Sequence, residues 1–284
     1  MIKIIDPHLH LFDLNKGSYQ WLRPENPPFW PDKHLIAKHF SEQDLTLSSP
    51  LSLSGFVHIE AGFDNEQSWR EIAWLEETCK RPFRSIAMLD ITLPKPLFSQ
   101  QLEKLMHYQS VVGIRHILDD NAQVMLNNQH TGANLALLAD KQLSFELQMP
   151  LANTSAVDSL ITIIHSTTDL MLSINHAGSP TADKKQQIAW LDNLKRLAKF
   201  STVFIKCSGY EMTDRYYSTN WQHKIIALCL ENFGISRVML ASNFPLSLWH
   251  GSYQDTWLAN TELPYNAVLI QQLCFSNAAS ALIV

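Results

Sequence analysis

The sequence has little cysteine, little charge and no long apolar run, and each shortage argues against a class of protein. Its four cysteines are far apart and form no CxxC pair, which argues against a disulfide scaffold or zinc ribbon and predicts reduced thiols. Lys and Arg number 22 against 27 Asp and Glu, so the basic excess of a nucleic-acid binder is missing. No stretch reaches the roughly 18 apolar residues of a membrane span or resembles a signal peptide. We therefore expect a cytoplasmic protein with neither a nucleic-acid nor a membrane partner.

What remains is the composition of a folded domain with a large core. Of the 284 residues, 46% are apolar, and neither an internal repeat nor a low-complexity linker divides the chain. We expect a single domain over residues 1–284. Residues 15–33 are rich in proline and aromatic side chains and follow the first predicted strand, so we expect them to form a partial lid over the active site.

Short β-rich apolar runs alternate with amphipathic stretches along the whole chain. Eight such runs cover residues 2–5, 55–59, 85–89, 111–114, 144–147, 171–174, 203–205 and 238–240. Helical periodicity is clearest at residues 66–79 and at 184–200, where Ile188, Leu191, Leu194 and Leu197 recur every three residues. Alternating strands and helices predict parallel pairing, and eight units predict a (β/α)8 TIM barrel. An open doubly wound sheet is the alternative, weakened by the lack of a Gly-x-Gly-x-x-Gly motif.

In such a barrel the chemistry belongs to the residues at the ends of the strands. The first strand runs into His8-Leu9-His10, and because side chains alternate along a strand, both imidazoles face the same side. Two histidines so placed either ligate a divalent metal or hydrogen-bond a substrate oxygen. Polar side chains also end the later strands, namely His58, Glu60, Arg115, Gln148, His176, Lys206 and Asn243.

Taken singly, each of these residues has an ordinary structural explanation. Glu60 is explained by a salt bridge, Lys206 by an ion pair with Glu146 inside the barrel, and Gln148 by a helix cap. Their convergence on one end of the barrel is what favours a functional site, because a scaffold has no physical need for so many buried polar groups.

The ordered set of motifs resembles the amidohydrolase-related family of the metal-dependent hydrolase superfamily. The resemblance rests on residues 8–10 (His-Leu-His), 113–116 (Gly-Ile-Arg-His), 175–178 (Asn-His-Ala-Gly), 206–209 (Lys-Cys-Ser-Gly), 241–245 (Ala-Ser-Asn-Phe-Pro) and 277–278 (Asn-Ala). It is closest to the branch containing L-fuconolactonase and 2-pyrone-4,6-dicarboxylate lactonase. Membership implies an amidohydrolase-like barrel and a lactonase-like hydrolase that acts on a C–O bond of a small sugar acid or dicarboxylate.

The resemblance also implies roles for individual residues. His8, His10 and His176 match histidines that bind a metal or polarise the substrate carbonyl, and zinc is the most plausible metal. Arg115 matches an arginine whose natural role is a bidentate grip on a substrate carboxylate. Gln148 and Lys206 are further candidates for substrate binding.

The eighth strand departs from the family pattern. Relatives carry an aspartate that takes the proton from the attacking water, and this chain has Asn243, whose amide accepts a hydrogen bond but no proton. We therefore expect any metal to be weakly bound or absent. Glu60 is the first candidate for the replacement base and His58 the second, with Asn243 orienting the water. Alternatives to a hydrolase are a catalytically degenerate barrel that binds a small carboxylate, and a decarboxylase. A homodimer is an allowed oligomeric state.

Overall fold

The fold is an eight-stranded parallel barrel surrounded by helices, and the computed structural model describes it over residues 1–282. The strands are hydrogen-bonded in the order of the sequence. They are β1 (Ile2–Leu9), β2 (Leu51–Ile59), β3 (Phe83–Met88), β4 (Val111–Ile117), β5 (Ser144–Gln148), β6 (Leu172–Ile174), β7 (Val203–Cys207) and β8 (Val238–Leu240). Each predicted run coincides with an observed strand to within a few residues. The predicted (β/α)8 TIM barrel is therefore confirmed, and the open sheet is not found.

Helices occupy the segments between the strands and cover the outside of the barrel. They are α1 (Trp69–Thr78), α2 (Lys95–Leu105), α3 (Ala122–Leu126), α4 (Thr131–Asp140), α5 (Thr154–Ser166), α6 (Lys184–Leu197), α7 (Tyr210–Thr213), α8 (Thr219–Phe233), α9 (Tyr253–Thr261), α10 (Ala267–Gln271) and α11 (Asn277–Leu282), with a π-helical turn at Gln272–Ser276. The Asp183 side chain caps α6 by accepting a hydrogen bond from the Gln186 N–H. The stripe expected on this helix was wrong at Ile188, which is exposed, whereas Trp190 is buried.

The barrel closes where β1 meets β8. The His10 N–H donates to the Phe244 carbonyl (2.7 Å), and the Asn243 N–H donates to the His8 carbonyl (2.9 Å). Asp6 reinforces this seam, because its carboxylate accepts hydrogen bonds from the Ser242 N–H and hydroxyl and from the Tyr253 hydroxyl. Burial raises the pKa of Asp6 to about 6 despite these bonds. The seam brings the strand-one histidines beside Asn243.

The apolar core has two parts. The larger part lies between the strands and the helices, and a smaller cluster of Ile5, Val57, Ile59, Ile86 and Met239 is joined by Ala278 of α11. All four cysteines are free and buried. Within residues 1–282, none of the helices has both the length and the apolar character needed to cross a membrane.

Candidate active site

Three of the predicted site histidines lie together at the end of the barrel. The ring centroid of His8 is 4.5 Å from that of His176 and 5.2 Å from that of His10. His8 is fully buried, and the other two are almost so. Strand alternation places His8 and His10 on the same side of β1, as the sequence indicates. His176, about 170 residues away in the chain, is brought to them by the closure of the barrel.

His176 is held by an unusual backbone. It follows β6 in the left-handed region at φ 53° and ψ 39°, where a non-glycine residue is uncommon. Its Nδ1 lies 3.1 Å from the Ser208 hydroxyl. Gly209 passes so close that a Cβ there would overlap the His176 ring. The 206–209 motif therefore requires glycine at its last position, because a larger residue would collide with the His176 ring.

All three imidazoles are neutral at pH 7. Burial is the largest cause that lowers the pKa of His8 and of His10 well below the usual range, and it lowers the pKa of His176 to about 3. Nδ1 of His10 donates to the Ile59 carbonyl (2.8 Å), so its Nε2 faces the site as an acceptor. Both ring nitrogens of His8 are buried and have no hydrogen-bond partner in the described structure. A neutral His8 thus offers the site one unused donor and one unused acceptor.

Arg115 is already engaged by protein groups. Its Nε donates to Oε1 of Glu60 (2.8 Å), one terminal nitrogen donates to Oε1 of Gln148 (2.7 Å), and the other donates to the Glu60 carbonyl (2.8 Å). The salt bridge considered for Glu60 is therefore present, and the helix cap considered for Gln148 is replaced by its bond to Arg115. The bidentate grip on a substrate carboxylate stays a prediction that requires Glu60 or Gln148 to release the guanidinium.

Lys206 lies inside the barrel and forms an ion pair with Glu146. Its Nζ is 2.6 Å from Oε1 of Glu146 and 2.8 Å from the Pro7 carbonyl, and both charged side chains are fully buried. Burial lowers the pKa of Lys206, although Glu146 opposes this effect. Two of the three ammonium N–H groups donate to these partners. Only one N–H group is left for the substrate contact predicted for Lys206.

His58 has no free ring nitrogen in this arrangement. The Leu11 N–H donates to its Nδ1 (3.2 Å), so the ring proton is on Nε2, which donates to Oε1 of Glu71 (3.0 Å). Burial raises the pKa of Glu71, and the bond to His58 opposes that effect. His58 is fully buried, and it would have to break one of these bonds to act as the predicted base.

Asn243 is paired with a residue that the sequence analysis missed. Its Nδ2 donates to Oε1 of Glu211 (2.6 Å), whereas its Oδ1 is buried without a partner in residues 1–282. Burial raises the pKa of Glu211 to about 7. Glu211 is the second residue after the 206–209 motif, so a search for acidic residues just beyond every strand end would have found it.

The donor set does not fit a divalent cation. Among residues 1–282, no group of three His, Cys, Asp or Glu side chains is arranged to hold a metal ion. The positive charges of Arg115 and Lys206 act on His8 and His176 and contribute to their lowered pKa values. Each of these cations is paired with a carboxylate, and Asn243 gives the three histidines no negatively charged ligand. The zinc site predicted at His8, His10 and His176 is therefore not built into this arrangement.

Residues 15–33 lie across the loops that follow β2, β7 and β8. The Trp21 indole N–H donates to the carbonyl of Ala61, just after β2 (2.7 Å). Farther along the segment, Asp32 pairs with Arg215 (2.8 Å) after β7, and the Trp30 ring packs on Trp249 after β8 with a centroid distance of 5.0 Å. These contacts join the segment to loops that follow three of the strands, and its role as a lid stays a prediction.

Known proteins are similar to this chain over nearly its whole length. A curated relative, the uncharacterized protein y4mH of Sinorhizobium fredii, is 27% identical over 272 residues, which cover 91% of this chain and 90% of the relative. An amidohydrolase from Burkholderia multivorans with bound zinc has the same fold, with a TM-score of 0.81, 18% identity and 99% of both chains covered. A probable 2-pyrone-4,6-dicarboxylic acid hydrolase from Acinetobacter baumannii with bound citric acid has a TM-score of 0.71, 17% identity and 99% coverage of both.

A family model described as amidohydrolase matches residues 5–282. The match includes the carboxyl ends of all the strands described above, and with them every site residue. The chain belongs to the amidohydrolase family, which is the family that its strand-end motifs resemble.

Proposed function

We propose that this protein is a hydrolase that opens a lactone or a similar C–O bond of a small sugar acid or dicarboxylate. One observation carries the proposal: His8 is a neutral, fully buried imidazole beside His10 and His176, and neither of its ring nitrogens has a hydrogen-bond partner within residues 1–282. Buried ring nitrogens without hydrogen bonds destabilise the folded protein, so we expect a ligand that forms hydrogen bonds with them. A carbonyl oxygen accepts from a ring N–H and fits one of the two positions.

In the proposed reaction, the His8 ring donates a hydrogen bond to the substrate carbonyl oxygen. Water attacks the carbonyl carbon and passes a proton to Glu60, and the negative charge that develops on oxygen is stabilised by the imidazole donor. The ring C–O bond then breaks, and Glu60 returns the proton to the leaving alkoxide. The products are a carboxylic acid and an alcohol. His10 and His176 provide further polar contacts to the substrate or to the tetrahedral intermediate.

Glu60 remains the preferred base because one of its oxygens is available. Oε1 is bonded to Arg115, whereas Oε2 receives no hydrogen bond from the described part of the chain. The guanidinium fixes the carboxylate, and Gln148 fixes the guanidinium from its other side. Glu60, Arg115 and Gln148 together form a rigid wall of the site, which suits a base that must be held close to the attacking water.

The charges of the site favour a neutral group at its centre. Both cations are already paired, Arg115 with Glu60 and Lys206 with Glu146. A substrate carboxylate held there would be desolvated without a free counter-charge. The lactone of a sugar acid, which carries hydroxyl groups and no net charge, is therefore preferred over that of a dicarboxylate.

Residues 15–33 are proposed as a cover for this site, in keeping with the lid expected from the sequence. His8, Arg115 and His176 are at most 3% exposed while the segment rests on the surrounding loops. A substrate would enter when these contacts open, and their closure would exclude bulk water during the reaction.

The test is a hydrolysis screen of sugar-acid and dicarboxylate lactones, followed by Glu60→Gln. Gln keeps the acceptor for Arg115 and removes the base, so kcat should fall by about 10²- to 10⁴-fold. Because Arg115 also loses its buried counter-ion, circular dichroism is used to verify that the variant is folded at the assay temperature. Glu66→Gln, which changes an exposed acid just after β2, is the matched control. Dialysis against a chelator should leave turnover unchanged.

Other outcomes distinguish the alternatives. If Glu60→Gln retains full turnover, the base is another group. If the wild type binds sugar acids but turns over no lactone, the degenerate binding barrel is correct. Release of CO2 from an aromatic or dicarboxylic acid would identify a decarboxylase instead.

A further inference from the structure

A buried carboxylate is hydrogen-bonded to Asn243, the residue after β8 at which the family resemblance implies an aspartate. Glu211, in α7, is 2% exposed, and its Oε1 is 2.6 Å from Nδ2 of Asn243. Asn243 itself is fully buried, and its backbone is in the left-handed region at φ 59°. The backbone and the carboxylate therefore both restrict the position of this amide.

The chemistry of the contact determines which way the amide faces. An ionised carboxylate only accepts hydrogen bonds, so the NH2 group of Asn243 must face Glu211 and the amide oxygen must face away. That oxygen is buried without a partner in the described structure, as are the two ring nitrogens of His8, and the Asn243 N–H is bonded to the His8 carbonyl. These unsatisfied atoms belong to adjacent residues across the barrel seam.

We propose that Glu211 is a positioning residue that holds the Asn243 amide oxygen toward the space beside His8, where it accepts a hydrogen bond from the attacking water or a substrate hydroxyl. This inference rests on the proposed function. In this arrangement the Asn243 amide oxygen can only accept a hydrogen bond. The site would therefore select ligands that present an O–H group to that oxygen.

The same contact disfavours an aspartate at position 243. The carboxylate of an Asn243→Asp variant would lie against Glu211 in a site from which water is excluded, and two carboxylates so close must share a proton. One acid in α7 and an amide after β8 avoid this repulsion while keeping an oxygen acceptor in the site. Glu211 and Asn243 therefore form one functional pair.

The ionisation of Glu211 should control the pair. Its pKa is raised to about 7 by burial, and the bond to Asn243 and the charge of Arg215 oppose the rise. Arg215 is itself paired with Asp32, and Tyr217 is a further titratable neighbour. Protonated Glu211 can donate to the amide oxygen and turn it away from the site, so activity should fall as the pH drops through about 7.

The first experiment measures stability and needs no substrate. Tm of the full-length wild type, Asn243→Asp and the double variant Glu211→Gln/Asn243→Asp is compared between pH 5 and 9. We expect the single variant to lose Tm relative to wild type as the pH rises, because its shared proton is lost. The double variant should regain most of that loss. If Asn243→Asp shows no such loss, Glu211 does not face position 243 and the inference fails.

The second experiment uses the lactone with the highest turnover in the screen. Glu211→Ala should lower kcat about tenfold with a smaller effect on KM, as expected for the loss of one well-placed hydrogen bond. Glu211→Gln should restore most of kcat, because its carbonyl still accepts from Asn243, and it should abolish the decline below pH 7. Glu231→Gln, an exposed acid on α8, is the control.

The two experiments separate the failure of this inference from failure of the proposed function. Full kcat in Glu211→Ala, or an unchanged acid decline in Glu211→Gln, overturns the positioning role while leaving the hydrolase intact. If no lactone is turned over, the proposed function fails, and the stability comparison still decides whether Glu211 and Asn243 form a pair.

Discussion

Lys206, a strand-end residue predicted to bind substrate, is held inside the barrel by a buried carboxylate. Its ammonium is fully buried and bonded to Glu146, whose other oxygen accepts from Asn175. We predict that Lys206→Met costs about 3–5 kcal/mol of unfolding free energy, because it leaves the Glu146 carboxylate buried without its counter-ion. Urea denaturation measures this loss. Glu146→Gln added to Lys206→Met should recover a large part of it.

Lys185→Met, on the exposed face of α6, provides the control and should change stability by less than about 0.5 kcal/mol. A loss in Lys206→Met as small as that in the control would mean that the buried ion pair contributes little. In that case the role of Lys206 would be better sought in substrate binding.

At the scale of elements, one arginine makes several of the contacts that attach residues 15–33. The Arg215 guanidinium lies 3.7 Å from the centroid of the Trp249 ring and 5.3 Å from that of Trp30, and it also pairs with Asp32. Arg215→Met removes the charge and the paired N–H groups together. We predict that amide hydrogen exchange in residues 15–33 becomes about tenfold faster or more, while exchange in the barrel strands is unchanged.

The matched control is Arg70→Met, because Arg70 pairs with Asp64 (2.6 Å) in the loop after β2 and does not hold the segment. Unchanged exchange of residues 15–33 in Arg215→Met would show that Trp21 and the aromatic contacts suffice to hold the cover. The proposed cover would then need another opening mechanism.

At the scale of the whole molecule, buried titratable groups make the unfolding free energy depend on pH in opposing directions. His8, His10 and His176 have pKa values below 6.5 in the folded state, so their contribution to stability is complete above pH 6.5 and is lost as the pH falls. Asp6 and Glu211 have raised values, about 6 and about 7, so their contribution is lost as the pH rises from about 4 through those values.

We therefore predict a shallow dependence of the unfolding free energy between about pH 4.5 and 6.5, and a steep loss below about pH 4. In the upper range the histidines and the raised carboxyls largely offset each other. Below it the histidines still take up protons on unfolding, and Asp32, Asp64 and Asp255, whose pKa values are lowered in the folded state, add to that uptake. Urea denaturation at half-unit steps from pH 3.5 to 8 measures the curve. His176→Asn should reduce the acid loss, and a curve that is flat down to pH 3.5 would contradict the prediction.

The sequence was sufficient to predict which residues form the candidate site. It was not sufficient to predict most of the hydrogen bonds and ion pairs among them. Strand alternation alone places His8 and His10 on one side, and the barrel requires His176 and Asn243 to share their end. Most of the partners were not predictable, because they are distant in the chain: Arg115 and Glu60 are 55 residues apart, and Asn243 and Glu211 are 32. The exception is the ion pair of Lys206 with Glu146, which the sequence suggested and the structure contains. A carboxylate in the sequence carries no mark of which cation or amide it will meet.

The sequence by itself determined the barrel and the ends of its strands, since a buried parallel strand must be apolar on both faces and its helix amphipathic, whatever lies elsewhere. Tertiary structure decided which polar groups are free. Arg115, His58 and Lys206 were candidates for chemistry, and their long-range partners hold them in place, whereas His8 was left with unsatisfied nitrogens among the described residues. The physical reason is that hydrogen-bond partners are assigned by barrel closure and burial, which depend on the whole chain at once.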